Sequence, residues 1–252
     1  MFHNSEMQRR WAIAFLAPHL QKLSGNEKIL DIGCGDGKIT ADVSRFVKEG
    51  EVLGIDPSLA MIEWGKKQFS SQEYPNLKFQ LGGFLSPSLG SSFDLIYSTA
   101  ALQHCTDQLS AFKNLASLLK PEGKLLVMIP AFNNAYLKKA IINVEKDSRW
   151  SPYFKDHKPR KFFSIEEAKK YILTTGFTPI RIENIETIDP FVDRQELLSF
   201  FMGTFPALVP KECALDFYNE WIDEYFRLLP EAFHDGIIEA RFGRIEIEAI
   251  KL

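Results

Sequence analysis

Residues 29–37 of this chain, Ile-Leu-Asp-Ile-Gly-Cys-Gly-Asp-Gly, decide its fold class. An apolar stretch of strand type runs into three glycines, and a helix-forming segment begins directly after them at Lys38. Glycines at such a turn let the backbone approach a ligand closely. In doubly wound α/β sheets, ligands bind at the carboxyl ends of the strands, where such turns lie. The stretch therefore predicts both the fold class and the place of a binding site.

Strand-like and helix-like segments alternate along the first half of the chain. The predicted strands are 28–32, 51–56, 77–81, 93–98 and 123–129, and the predicted helices are 5–23, 38–48, 59–69 and 107–119. Strands that are nearly all apolar and separated by helices are typical of parallel sheets covered on both faces. We therefore expect a doubly wound, mostly parallel α/β sheet.

The strict alternation ends after residue 130. Ser164 and Glu167 predict a capping box for a helix that runs to Thr174, and Gly176 predicts its end. A strand at 180–188, aromatic-rich helices over 194–233 and a final strand at 244–252 are expected to follow. We interpret the chain as a single domain, with an N-terminal helix in 1–25, a ligand-binding core over 26–130, and a C-terminal helical cap with the final strands over 131–252.

Composition and charge exclude some classes of function. The chain has 30 basic and 33 acidic residues, a formal net charge of -3, so nucleic acid is not an expected partner. Cys34, Cys105 and Cys213 lie far apart, which predicts neither a disulfide framework nor a metal site and favours a reducing compartment. No apolar run approaches the roughly 20 residues of a membrane span. We expect a cytoplasmic protein that does not enter a membrane.

The charges around the glycine turn indicate which ligand it holds. A dinucleotide fingerprint, G-x-G-x-x-G, would place its third glycine at position 38, which is Lys38. Asp31 and Asp36 flank the turn and would repel a pyrophosphate, whereas they suit a ligand with an ammonium and a sulfonium group. Asp56 ends the second strand nineteen residues after Gly37, a spacing typical of a carboxylate that binds ribose hydroxyls.

Residues 26–130 resemble the class I S-adenosylmethionine (SAM) dependent methyltransferases. The motifs that carry the resemblance are ILDIGCGDG, VLGIDPS, FDLIYSTAALQH and LLKPEGKLLVMIP. The resemblance implies that SAM is the cofactor, that Asp31, Gly33 and Gly35 contact its methionine part, and that Asp56 holds its ribose. It also implies that the segment from Ser98 to His104 faces the substrate.

Further cofactor contacts follow from the same resemblance. We assign Cys34, Pro57 and Ser98 to the cofactor site, together with Met61, which lies over the adenine or fills core space. The family often has an acidic residue near the end of the third strand that contacts the adenine amino group. This chain has Leu-Gly-Gly-Phe at 81–84, and we expect Gly83 and Phe84 to contact the adenine instead.

A narrower resemblance suggests the acceptor. The segments NSEMQRRWA, ALQHCTDQLSAFKNLASLLKPEG and SRWSPYF are similar to small-molecule carboxylate methyltransferases, namely those of juvenile hormone acid and trans-aconitate. In those families a leader glutamine and a tryptophan after the fourth strand hold the substrate carboxylate. Gln8 and His104 stand at the matching positions, so the glutamine is kept and the tryptophan is replaced. The resemblance implies a small acidic substrate with an apolar part.

The chemistry of the acceptor leaves alternatives open. A carboxylate, with a pKa near ~4, is ionised at neutral pH and needs no general base. A hydroxyl on a quinone or polyketide-like ring would use one, and His104 is the best-placed residue. Carrier-bound malonyl O-methylation and a non-catalytic SAM sensor are further alternatives. In the simplest interpretation, His104 is a packed or surface histidine and Gln8 an exposed helix residue.

Two aromatic-rich regions also allow more than one interpretation. The basic run Lys155, Lys158, Arg160 and Lys161 stands beside Trp150, Tyr153, Phe154, Phe162 and Phe163. It predicts a lid for an acidic substrate, an RNA contact or, most simply, a solvated loop whose aromatics pack internally. The aromatics of the second region form helical stripes that predict a cap core or a pocket for an apolar substrate; they are Phe200, Phe201, Phe205, Phe217, Trp221, Tyr225 and Phe226.

Overall fold

The structure is a computed structural model that describes residues 6–86, 89–90, 92–131, 135–155, 164–205, 208–234 and 237–252. The strands are β1 (Lys28–Ile32), β2 (Glu51–Asp56), β3 (Leu77–Leu81), β4 (Phe93–Thr99), β5 (Leu119–Ala131), β6 (Phe177–Phe191), β7 (Phe233–His234) and β8 (Ile237–Lys251). The helices are α1 (Glu6–Leu20), α2 (Lys38–Ser44), α3 (Leu59–Gln68), α4 (Gln108–Leu118), α5 (Ala135–Lys146), α6 (Ser151–Phe154), α7 (Ile165–Thr174), α8 (Arg194–Thr204) and α9 (Ala214–Leu228). Short 3-10 turns cover Leu102–His104, Lys211–Cys213 and Pro230–Ala232.

The strands form one sheet in the order β3-β2-β1-β4-β5-β8-β6, and β7 pairs antiparallel with β8. β1 is parallel to both β2 and β4, β2 is parallel to β3, and β4 is parallel to β5. The predicted doubly wound, mostly parallel sheet is confirmed. The strand order reverses between β1 and β4, and such a switch point opens a crevice at the carboxyl ends of the strands.

The chain divides into two compact units. We call Met7–Pro130, Phe163–Asn184 and Ile245–Leu252 the sheet unit, and Met1–Glu6, Ala131–Phe162 and Ile185–Arg244 the helical unit. The interpretation of the chain as one domain with a core at 26–130 remains a prediction.

The core of the sheet unit is built from the apolar strands and the helices that cover them. Ile29 in β1, Val52 in β2 and Leu95 in β4 are buried in one cluster with Leu16 and Leu20 of α1. At roughly 25 cal/mol per Å² of apolar surface removed from water, such side chains each contribute about 1.5–3 kcal/mol. This burial fixes β1, β2 and β4, and with them the loops at their carboxyl ends.

Several segment ends differ from those predicted. α2 ends at Ser44 rather than at residue 48, because Phe46 and Val47 turn back and donate to the carbonyls of Val43 and Ser44. β5 begins at Leu119 rather than at residue 123, and its pairing with β4 shifts register between Phe93 and Leu95. The sequence Pro-Glu-Gly at 121–123 therefore forms an irregular part of a strand rather than a free turn.

The predicted end signals of α7 are confirmed. The Ser164 hydroxyl accepts from the Glu167 N–H, and the Glu167 side chain accepts from the Ser164 N–H, which completes the capping box. Gly176 has a φ of 87°, a left-handed conformation that glycine adopts at helix ends. β6 extends the strand predicted at 180–188 in both directions.

Aromatic side chains form the core of the helical unit. Phe201 and Trp221 are fully buried with ring centroids 4.6 Å apart, and Trp150 meets Phe217 edge to face at 5.3 Å. The region predicted as helical over 194–233 contains two helices, α8 and α9, separated by a 3-10 turn. Most of the predicted aromatic stripe is therefore core. Within the described ranges, no helix is long and apolar enough to cross a membrane.

Candidate functional site

The glycine turn after β1 is fastened to the end of β2. The N–H groups of Gly33 and Cys34 both donate to the Ile55 carbonyl, at 2.8 and 3.0 Å. Gly33 has a φ of 81°, and a Cβ built there would lie 2.2 Å from the Ala101 Cβ of the segment after β4. A side chain at position 33 would therefore be strained and would also clash. We call residues 33–37 the glycine loop.

Gly37 closes the glycine loop at the start of α2. It has a φ of 82°, and an added Cβ would lie 2.6 Å from the ring of Phe79 in β3. Gly35, between them, also has a positive φ of 54°, but a Cβ there would meet no atom within 4 Å. The open side of the loop thus lies at Gly35, while the flanking glycines are enclosed.

The Asp56 carboxylate organises the carboxyl end of β2. Its Oδ2 accepts from the Gly35 N–H at 3.0 Å, and its Oδ1 accepts from the Ser58 N–H at 2.8 Å. Each carboxylate oxygen has a second acceptor position, so the group can still receive ligand hydroxyls. One side chain thereby connects the glycine loop to the start of α3.

A buried carboxyl group lies beneath the glycine loop. Asp31 is only 2% exposed, and the Thr40 hydroxyl of α2 donates to its Oδ2 at 2.7 Å. Burial raises the pKa of Asp31 from its ordinary value of 3.8 to about 7, and the charge of Asp56 acts in the same direction, while the bond from Thr40 opposes them. Burial also raises the pKa of the Cys34 thiol. The electrostatics under the loop thus favour a bound positive charge.

A pocket of about 810 Å³ opens at the carboxyl ends of β1 to β4. Of the positions predicted from the sequence, it is lined by Gly33, Asp56, Pro57, Gly83, Phe84 and His104. The pocket is also lined by Ala101, within the segment from Ser98 to His104 that was expected to face the substrate. The other lining residues had no role predicted from the sequence; they are Ile32, Leu81, Gly82, Leu85, Ser86, Cys105 and Thr106. Four strand ends therefore meet in a single cavity.

The other predicted site residues do not line this pocket; they are Gln8, Asp31, Cys34, Gly35, Met61 and Ser98. Ser98 is fully buried, and its hydroxyl donates to the Ile32 carbonyl at 2.8 Å, so it joins two strands and we leave it out of the cofactor site. Asp31 acts from below the loop rather than from the cavity. Met61 is half-buried in the first turn of α3, and Gln8 is half-buried on α1.

The segment after β3 is held by a residue distant in sequence. The Asn114 amide of α4 donates to the carbonyls of Phe84 and Ser86, at 2.9 and 3.4 Å. The Gly83 N–H donates to the Ser86 hydroxyl at 2.8 Å, and the Gly82 N–H to the Asp56 carbonyl at 3.1 Å. Hydrogen bonds therefore fix this wall of the pocket, and the amino-acid sequence does not reveal them.

The segment after β4 presents side chains to the pocket. Ala100 has a φ of 54°, rare for a residue other than glycine, and its N–H donates to the Met128 carbonyl of β5 at 2.8 Å. His104 ends the 3-10 turn and is exposed at the pocket wall. Backbone strain of this kind is commonly found at functional sites.

Part of the predicted basic and aromatic segment can be placed. Residues 156–163, which include Lys158, Arg160, Lys161, Phe162 and Phe163, lie outside the described residues. Phe154 stacks on Phe217 with ring centroids 5.7 Å apart, in the same cluster as Trp150. These two aromatics therefore pack within the helical unit, as the simplest interpretation expects.

Comparison with known proteins agrees with this geometry. A family model described as "Methyltransferase domain" matches residues 23–173. Juvenile hormone acid O-methyltransferase of Bombyx mori is 25% identical over 237 residues, which cover 87% of this chain and 82% of that protein. Trans-aconitate 2-methyltransferase of Deinococcus radiodurans is 38% identical over 104 residues, which cover 41% of this chain and 38% of that protein.

A solved structure shares the fold. The geranyl diphosphate C-methyltransferase of Streptomyces coelicolor A3(2), in complex with Mg²⁺, geranyl diphosphate and S-adenosyl-L-homocysteine, superposes with a TM-score of 0.60 at 14% identity. The match covers 96% of this chain and 79% of that one.

Proposed function

This chain belongs to the methyltransferase domain family and is a SAM-dependent methyltransferase, and we propose that its acceptor is the carboxylate of a small molecule with an apolar part. The observation that carries the proposal is the position of His104, a ring N–H donor at the wall of an otherwise largely apolar pocket. The juvenile hormone acid O-methyltransferase relative, similar over most of the chain, supports it.

The residues present fit SAM. Gly33 and Gly83 line the pocket with backbone alone, and an added Cβ at Gly83 would meet nothing within 4 Å, so a ligand can approach there closely. We propose that Asp56 accepts hydrogen bonds from the ribose hydroxyls and that Asp31 favours the positive charge from beneath the loop. Leu81 and Phe84 provide apolar surface for the adenine in place of an acidic residue. When bound, SAM supplies a methyl group on a sulfonium, an already activated leaving group.

The protein's remaining task is to align the acceptor and exclude water. A carboxylate needs no proton removed before it reacts, so a hydrogen-bond donor is enough to orient it. His104 provides that donor, and Leu85 adds an apolar wall that keeps water from the reacting oxygen. Among the described lining residues, the side chains that could act as a base are those of Asp56 and His104. Asp56 is already bonded to the N–H groups of Gly35 and Ser58, which leaves His104.

A second candidate follows from the same residue. If the acceptor is a hydroxyl on a quinone-like ring, His104 would remove its proton, and turnover would depend on its protonation state. Carrier-bound malonyl groups are a third class of acceptor, and a SAM sensor without an acceptor is the non-enzymatic alternative.

The test is the lability of the product. The protein is incubated with SAM labelled in its methyl group and a panel of di-, tri- and fatty acids, and the product is treated with mild alkali. We expect volatile labelled methanol that depends on one class of acid, because methyl esters hydrolyse under these conditions. A labelled product that survives alkali would instead mean an ether, amine or carbon acceptor and would contradict the proposal.

His104→Ala separates the two roles of the imidazole. If the imidazole orients the acceptor as a hydrogen-bond donor, its removal should raise the acceptor KM about tenfold, equivalent to about 1.4 kcal/mol. The pH profile of kcat should then change little. Loss of kcat together with its pH dependence would favour the ring acceptor. Lys113→Ala, at an exposed position of α4, is the matched control.

A further inference from the structure

We propose that Gln103 is a positioning residue that holds His104 as the neutral Nδ1–H tautomer, so that the imidazole acts as a hydrogen-bond donor and not as a base. The Gln103 amide nitrogen donates to the Ala100 carbonyl at 2.7 Å and lies 3.2 Å from the His104 Nε2. The inference rests on the proposed function only for the identity of the acceptor.

The Ala100 carbonyl decides which way the amide points. If the amide were turned over, its Oε1 would lie against the carbonyl oxygen, and two acceptors would face each other. Ala100 is itself held with a positive φ by its bond to Met128, so the carbonyl cannot easily move away. The amide nitrogen therefore stays on the side of His104.

The amide nitrogen determines the tautomer. An amide NH₂ group only donates, and the hydrogen that is not given to Ala100 is available to the His104 Nε2, 3.2 Å away. That ring nitrogen must then offer its lone pair, which leaves the proton on Nδ1. The partner of one ring nitrogen generally sets the protonation of the other in this way.

The remaining atom of the amide has no partner in this arrangement within the part of the chain that the structure describes. Gln103 Oε1 is buried and accepts no hydrogen bond from the described residues. Leaving a buried acceptor unpaired costs free energy. A cost of this kind is expected where the arrangement serves a site rather than the stability of the fold.

The consequence bears directly on the reaction. With Nε2 occupied by Gln103 and Nδ1 protonated, the neutral ring has no free lone pair to take a proton from an acceptor. It has one N–H to give, which suits a carboxylate oxygen. Gln103 thus selects for an acceptor that is already ionised.

The test is the tautomer of His104, read from the side-chain ¹⁵N shifts in long-range ¹H–¹⁵N spectra of the full chain at pH 8, without any acceptor. We expect the Nδ1–H form in the unmodified protein. Gln103→Glu should convert it to the Nε2–H form, because the variant has no amide N–H to donate to Nε2. Gln80→Glu, the same change at an exposed residue of β3, should leave the spectrum unchanged.

An Nε2–H tautomer in the unmodified protein would overturn the proposal, and so would a tautomer that Gln103→Glu does not change. The outcome is independent of whether carboxylates are the acceptors. In turnover, Gln103→Leu should raise the acceptor KM about tenfold and leave SAM affinity within twofold. A fall in SAM affinity equal to the rise in acceptor KM would indicate a merely structural role and would also overturn it.

Discussion

The glycine loop at 33–37 and the segment after β4 at 100–106, which we call the acceptor loop, form neighbouring walls of the same pocket by different means. The glycine loop is fixed through its backbone, with N–H groups bonded to Ile55 and Asp56 and no room for a side chain at Gly33. The acceptor loop instead presents side chains, and His104 and Thr106 are exposed. Cofactor binding is thus expected to depend on this fixed backbone together with the Asp56 carboxylate, and acceptor choice on exposed side chains.

The largest effect is expected where the two loops touch. Gly33→Ala adds both a strained φ and a clash with Ala101, and should lower the free energy of unfolding by about 5 kcal/mol. Gly35→Ala adds only the strained φ and should cost about 1–2 kcal/mol. Denaturant unfolding of both variants measures the difference. Equal losses of unfolding free energy in the two variants would show that the close contact between Gly33 and Ala101 does not limit the size of the side chain at position 33.

The buried carboxyl group beneath the glycine loop should make stability depend on pH. Because the pKa of Asp31 is raised from 3.8 to about 7, the native state keeps a proton that the unfolded chain has lost between those values. The protonated Asp31 therefore stabilises the fold at low pH. As the pH rises towards 7 this stabilisation is lost, and the free energy of unfolding falls by roughly 4 kcal/mol. Asp31→Asn should abolish this decline.

The measurement for Asp31 is the unfolding free energy of the unmodified protein and of Asp31→Asn at several values between pH 4 and pH 8. The two curves should diverge as the pH rises, with the variant relatively more stable at pH 8. Parallel curves would mean that Asp31 is ionised at little cost. Asp42→Asn, which removes a partly exposed carboxylate paired with Arg9, is the matched control.

The smallest effect is expected at the wall after β3. Asn114→Ala removes the amide that holds the Phe84 carbonyl and should lower the free energy of unfolding by about 1 kcal/mol. The KM for SAM should rise about fivefold while the acceptor KM changes little, because this wall is proposed to hold the adenine. Steady-state kinetics beside Lys113→Ala, at an exposed position of α4, provide the comparison. A rise in the acceptor KM alone would mean that this wall contacts the acceptor and not the adenine.

The sequence was sufficient for the glycine loop and for the strands that carry it. β1, β2 and β3 begin and end where predicted, because short apolar runs stand between glycines, charged residues and helix caps. Gly33 and Asp56 line the pocket as the spacing suggested. These features depend on neighbouring residues, which is why a local pattern could reveal them.

The conformation of the acceptor loop cannot be predicted from such local patterns. The orientation of Gln103 depends on a positive φ at Ala100, and nothing in the residue type predicts left-handed backbone there. The contact of Asn114 with Phe84 joins residues thirty positions apart. The family resemblance places Ser98 in the cofactor site, whereas its hydroxyl donates to the Ile32 carbonyl within the sheet. Side-chain direction and distant contacts require the fold itself.

The most direct test of the account is calorimetric titration of S-adenosylhomocysteine into the unmodified protein, Asp56→Asn and His104→Ala. We predict that Asp56→Asn weakens binding about tenfold to a hundredfold, since hydrogen bonds to a charged group contribute about 1.5–3 kcal/mol. His104→Ala should bind within twofold of the unmodified protein. Normal binding by Asp56→Asn, or an equal loss in His104→Ala, would contradict the division of the pocket into a cofactor side and an acceptor side.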